Sequence, residues 1–166
     1  MRVLVTAASR HGATAEIAEA IAGKIRESEM EVDVLPPDAV DGVDPYDAVV
    51  VGSAVYAGHW LDPARRLVDR HAAALAARPT WLFSSGPIGD PPKPDEELVE
   101  IAPMIQRLGA RDHRMFPGRL DRDALGFVER ALVTALRAPT GDFRDLNAIR
   151  SWAAEIAGSL RPSVDA

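Results

Sequence analysis

The sequence predicts an α/β protein: a doubly wound parallel sheet of five strands between two layers of helices. Three observations carry that expectation. Short aliphatic runs bounded by turn residues recur along the chain, helical patterns fill the gaps between them, and the 166 residues suit a single domain spanning 1–166. Strands buried on both faces read as continuous Val/Ile/Leu runs rather than alternating ones, and these runs do.

Taken in order, the strands fall at Arg2–Ala7, Glu31–Leu35, Ala48–Gly52, Thr80–Ser84 and, more weakly, Arg111–Pro117. Each helix announces itself by apolar residues three and four apart. Ile17, Ala18, Ile21, Ala22 and Ile25 form the first such face, and Leu61, Ala64, Leu67, Val68 and His71 the second. Leu98, Ile101, Ile105 and Leu108 form a third, and Ile149, Trp152, Ala153, Ile156 and Leu160 the last. Two stretches interrupt the alternation. Proline and glycine punctuate Pro36 to Pro45 so often that no element is assigned there. Leu125, Val128, Leu132 and Leu136 mark an extra helix between Asp121 and Arg137, ahead of the last one.

Composition excludes several chemistries. With no cysteine, the chain has no thiol nucleophile, disulfide or cysteine-ligated cluster, so redox work requires a bound cofactor. A formal net charge of −6 without a basic stripe argues against a nucleic-acid partner. No apolar run reaches the roughly 18 residues of a membrane span, and Met1-Arg2 leads directly into Val3-Leu4-Val5 without a signal-peptide pattern. The expectation is a cytoplasmic protein with no integral membrane segment.

Ligands of open parallel sheets bind outside the carboxyl ends of the strands, so the loops that follow strands carry the functional reading. After the first strand comes Ser9-Arg10-His11-Gly12-Ala13-Thr14; after the third, Ser53-Ala54-Val55-Tyr56-Ala57-Gly58-His59-Trp60; after the fourth, Ser85-Gly86-Pro87-Ile88-Gly89. All three are rich in glycine, hydroxyls and aromatic or imidazole groups. The first lacks both the lysine of a P-loop and the three glycines of a dinucleotide turn. What it offers is hydroxyls at either end, a glycine for a close turn, and a helix N-terminus, a combination suited to a terminal phosphate. A purely local role, Ser9 capping the helix and Thr14 lying in its first turn, is the competing reading. His11 and His59 lie in adjacent loops without a third ligand at recognisable spacing, so no metal is expected.

Ser9 to Ala18 resembles the FMN phosphate loop of flavodoxins, and the likeness continues through Gly52 to His59 and Ser84 to Pro87, where the second and third flavin loops fall. More narrowly, the chain is similar to the branch containing the flavodoxin-like, quinone-linked protoporphyrinogen oxidases. The Tyr/Gly-His segment after the third strand, the insertion near the fifth and Gly141-Asp142-Phe143-Arg144-Asp145 carry that narrower likeness. The resemblance implies a strand order of 2-1-3-4-5 and FMN as cofactor. It places the phosphate on Ser9, Arg10, His11, Gly12, Ala13 and Thr14. The ring is placed between Ser53, Ala54, Val55, Tyr56, Gly58 and His59 on one side and Ser85, Gly86, Pro87 and Gly89 on the other. Pro87 and Ile88 stand where a stacking aromatic is usual, so stacking falls to Tyr56 or Trp60. The implied activity is oxidation of a small substrate such as a porphyrinogen, with a quinone as acceptor. Two alternatives stay open: an FMN electron carrier that meets only protein redox partners, and a flavin-free interaction module on the same fold.

Overall fold

The structure, a computed structural model, describes residues 1–9, 12–56, 58–86, 100–117 and 146–160. Their elements run β1 (Arg2–Ala8), α1 (Ala13–Arg26), β2 (Glu31–Leu35), a 3-10 turn (Pro37–Ala39), β3 (Ala48–Tyr56), β4 (His59–Trp60), α2 (Asp62–Ala76), β5 (Thr80–Gly86), α3 (Ile101–Leu108), β6 (His113–Pro117) and α4 (Leu146–Leu160). The parallel strands are ordered β2-β1-β3-β5-β6, which is the expected 2-1-3-4-5 with one small insertion. That insertion is β4, which folds back antiparallel on the end of β3 through the pairs Val55 with Trp60 and Tyr56 with His59. Leu98 and the helix expected between Asp121 and Arg137 lie outside the described residues.

Successive side chains on a strand alternate faces, so each strand feeds two cores. Val3, Val5, Ala48, Val50 and Phe83 pack against the apolar faces of α1 and α4, and Leu4, Val49, Val51 and Leu82 pack against α2 and α3. Ile17, Ile21 and Ile25 of α1 are fully buried, as the three-and-four spacing requires. On the α4 face, Phe83, Phe116 and Trp152 form a cluster of tilted and edge-to-face rings, with centroids 5.6 to 6.3 Å apart. Gly52 makes room for this cluster: a Cβ there would stand 2.2 Å from two carbons of the Phe83 ring.

Polar groups stitch the connections. Arg78, just past α2, donates to the carbonyls of Ala74, Val43 and Tyr46, which pins the proline-rich segment before β3. At the sheet's outer edge, Asp33 of β2 accepts from Arg2 and from the Tyr46 hydroxyl, at 3.1 and 2.8 Å. Burial and the Asp33 carboxylate push the Tyr46 phenol above its usual range.

Candidate functional site

Parallel register aligns the carboxyl ends of the central strands, placing Ala8 beside Ser53 and Ser53 beside Ser84. Above this row β1 gives way to α1. Gly12 turns the chain there with φ +86°, a left-handed conformation that glycine adopts without steric penalty. Its N–H donates to Ser9 Oγ at 3.0 Å, while its carbonyl accepts the Glu16 N–H at 3.0 Å. Ser9 therefore fastens the turn rather than the helix, and among the described residues no side chain caps α1. Thr14 is buried in the first helical turn. The opening N–H groups of an uncapped helix carry partial positive charge and suit an anion.

A cavity of about 490 Å³ opens beside this turn. Its lining includes Ser9 and Gly12 of the turn and Leu61 and Pro63 at the start of α2. Pro36, Pro37 and Asp38, which also line it, belong to the Pro36–Pro45 stretch to which the sequence assigned no element. Among the described residues, those of the second and third sequence-predicted loops do not line it.

The second loop is more ordered than its composition suggests. Ser53, Ala54, Val55 and Tyr56 extend β3, and Gly58, at φ +77°, turns the chain into β4. Three hydrogen bonds hold the hairpin's return. Trp60 N–H donates to Glu100 Oε1 at 2.5 Å, its indole N–H to Ser84 Oγ at 2.8 Å, and Leu61 N–H to Ser53 Oγ at 2.9 Å. Ser53 is completely buried, and its hydroxyl donates to the Ala54 carbonyl at 2.7 Å, so it braces the hairpin. Trp60 is 1 % exposed, which removes it from the two expected stacking candidates. Its large apolar ring lies in the α2 and α3 core and its polar edge is satisfied there. Val55 is buried in the same core, whereas His59 is exposed.

Among the remaining expected site residues, Ser85 and Gly86 end β5 rather than opening a loop, and Ser85 is buried. Ala13 begins α1. Arg10, His11, Pro87 and Gly89 lie outside the described residues. Among those described, no group of three or more His, Asp or Glu side chains could hold a metal, and no helix is long and apolar enough to cross a membrane.

Two polar clusters escaped the sequence reading. Ser84 Oγ lies 2.8 Å from His113 Nε2. Burial pushes this imidazole below its ordinary range, with the Asp112 carboxylate pulling the other way. Ser84 Oγ accepts from the Trp60 indole, and the direction of its bond to His113 is set by the imidazole tautomer. Asp112 receives the His113 backbone N–H at 2.9 Å, so it does not orient the ring as the third member of a nucleophilic triad would. Burial alone would raise the Asp112 carboxyl, but hydrogen bonds from the Trp152 indole, the Arg114 guanidinium and the His113 N–H bring it below its usual value. The other cluster gathers on Glu100, whose Oε2 stands 3.8 Å from His59 Nδ1 and 3.9 Å from Arg65 Nη1. No local motif links Glu100 to a hairpin 40 residues earlier in the chain. Ser84, in the third loop's serine pair, was the sequence signal for the first cluster, and His59 for the second.

A glycine-turned helix opening at the switch point of a doubly wound sheet, with no capping side chain among the described residues, is the kind of place where open α/β proteins bind anionic groups. The chain matches the flavodoxin domain family over residues 4–147 and belongs to it. Membership in that family indicates FMN binding. Among solved structures, a point mutant of flavodoxin from Pseudomonas aeruginosa is similar at 17% identity and TM-score 0.67, covering 98% of this chain and 100% of that one. Oxidised flavodoxin 1 from Bacillus cereus is similar at 18% identity and TM-score 0.63, covering 97% and 100%. These likenesses establish the fold. Among curated proteins, protoporphyrinogen IX dehydrogenase [quinone] of Escherichia coli (strain K12) is 29% identical over 86 residues, 51% of this chain and 48% of that protein. The chain thus spans about half the length of the curated relatives it matches.

Proposed function

We propose that the chain is an FMN-dependent oxidoreductase that holds the flavin phosphate on the β1–α1 turn. The observation that carries this reading is the Ser9–Gly12 hydrogen bond, which keeps Gly12 left-handed and, among the described residues, leaves the first turn of α1 without a side-chain cap. The group fits: backbone N–H donors and the small residues Gly12 and Ala13 admit a phosphate closely, and a Cβ built on Gly12 would meet nothing within 4 Å. Ser9, Arg10, His11, Gly12, Ala13 and Thr14 would hold the phosphate. Ala54, Tyr56, Gly58 and His59, with Gly86, Pro87 and Gly89, would flank the ring, on a floor built by Ser53, Val55 and Ser85. FMN supplies one- and two-electron redox chemistry when bound. The protein's part is to position the ring, exclude water and limit access.

The partial likeness to protoporphyrinogen IX dehydrogenase supports a reduced porphyrinogen as substrate and a quinone as acceptor. A second reading, an electron carrier meeting protein redox partners, is supported by the full-length likeness to flavodoxins. Localisation in the cytoplasm remains part of the proposal. Titration with FMN, followed by flavin absorbance and fluorescence, tests the core of it: saturable binding at micromolar protein is expected, and absence of binding refutes the assignment. Oxidation of protoporphyrinogen in the presence of a quinone then separates the readings, since turnover requires the enzyme and its absence favours the carrier.

A further inference from the structure

We propose that Glu100 is a positioning residue for the flavin, a carboxylate that holds the Tyr56–Trp60 hairpin in place from the start of α3. The proposal rests on the reading that this hairpin flanks the ring. Glu100 occupies the N-cap position of α3, yet its side chain makes no hydrogen bond to that helix. Its Oε1 instead accepts the Trp60 N–H at 2.5 Å, and its Oε2 faces His59 of the hairpin and Arg65 of α2. Only 22% of the side chain is exposed, so the carboxylate works in a medium that strengthens charge-assisted bonds. Arg65 is itself paired with Asp62 in the first turn of α2, which fixes the cation on the far side of Glu100.

This arrangement explains how a two-residue strand can be ordered at all. An isolated pair of such short strands is marginal in water, and among the described residues β4 has ladder partners only on β3. The indole of Trp60 and the Leu61 N–H anchor the hairpin from beneath, on Ser84 and Ser53. Glu100 supplies the remaining tie, reaching across from another element to the backbone beside His59. Losing it frees the turn containing Gly58 to shift over a pinned base, and the contact made to a flat ring shifts with it.

The experiment compares Glu100→Ala, Glu100→Asp and Glu100→Gln. Gln keeps the acceptor oxygen, whereas Asp keeps the charge and shortens the reach by one methylene. Loss of one charge-assisted hydrogen bond at a binding loop corresponds to about tenfold in affinity. FMN and riboflavin are expected to weaken by the same factor in the Ala and Asp variants, because the ring contact and not the phosphate turn is disturbed. The visible circular dichroism of bound flavin should change with them, and Gln, which keeps the acceptor but not the charge, should fall between wild type and Ala in both. Affinity and spectrum unchanged in Glu100→Ala overturn the proposal, as does a Gln variant as weak as Ala. The tie itself is read without flavin by amide hydrogen exchange at Trp60, which should accelerate most in Ala and Asp and less in Gln. If the wild-type protein binds no FMN, the parent reading fails; if Trp60 exchange is unchanged in Glu100→Ala, the tie fails independently.

Discussion

Replacing Trp60 with Phe separates a ring that builds the floor of the site from one that stacks on the flavin. The change removes the indole N–H that Ser84 accepts at 2.8 Å, while Ser84 keeps its bond to His113. The lost hydrogen bond contributes about 1 kcal/mol. Because the ring is fully buried, the truncation also leaves roughly one or two methylenes' worth of space unfilled, at about 0.8 kcal/mol each. The sum is a destabilisation of about 2 kcal/mol, or a melting temperature lowered by roughly 4–8 °C for a chain of this size. Urea unfolding with the linear-extrapolation slope held equal gives the stability change, and FMN fluorescence quenching gives the ring contact. A buried anchor predicts clear destabilisation with the quenching of bound FMN retained. Unchanged stability together with lost quenching would show that Trp60 reaches the flavin after all, and would refute the placement argued above.

Gly52→Ala should destabilise the protein by about 1–3 kcal/mol, since its Cβ would overlap the Phe83 ring, and Phe83→Leu in the same chain should recover part of that loss in a double-mutant cycle. Ser9→Ala should weaken FMN by about tenfold and leave riboflavin nearly unaffected if the turn it fastens is the phosphate site, as proposed, and paired titrations check the difference. His113 is depressed in the folded protein by burial, so the unfolded chain binds its proton first as pH falls. Stability contributed by the neutral ring is therefore complete above the unfolded value of about 6.5 and is lost between there and the lower folded value. His113→Gln, which still offers Ser84 an acceptor, should flatten that dependence in urea titrations taken between about pH 7.5 and 5.5, a window that brackets the unfolded value.

How much of this was legible in the sequence depended on range along the chain. Aliphatic runs such as Val3-Leu4-Val5 and the Ile17, Ile21, Ile25 stripe are local patterns, and the strands and helices they predict are the ones found. The glycine turn before α1 was legible for the same reason, since Ser9 and Gly12 settle it between themselves. By contrast, Ser53-Ala54-Val55-Tyr56 reads as loop because small polar residues are common in loops. It is strand because β1 supplies ladder partners as far as Ser53, β5 as far as Ala54, and β4 beyond. Trp60 was ambiguous for a similar reason. A tryptophan beside a ligand loop has the same sequence context whether its ring turns inward or outward, and what decides it is Ser84, 24 residues away. Glu100 carried no local signal at all.

The charged outer strand has a consequence for association between molecules. Among the described residues β2 lies at one end of the sheet, with no strand paired to its outer edge, which could template another strand. Glu31 and Asp33 stand on that strand, with Asp33 held by both Arg2 and Tyr46. A second sheet adding there would have to desolvate the Glu31 carboxylate and the Asp33 carboxylate, the latter already fixed by Arg2 and Tyr46. This edge therefore acts as a barrier to aggregation, one set by the two acidic residues that alternate with the valines of β2.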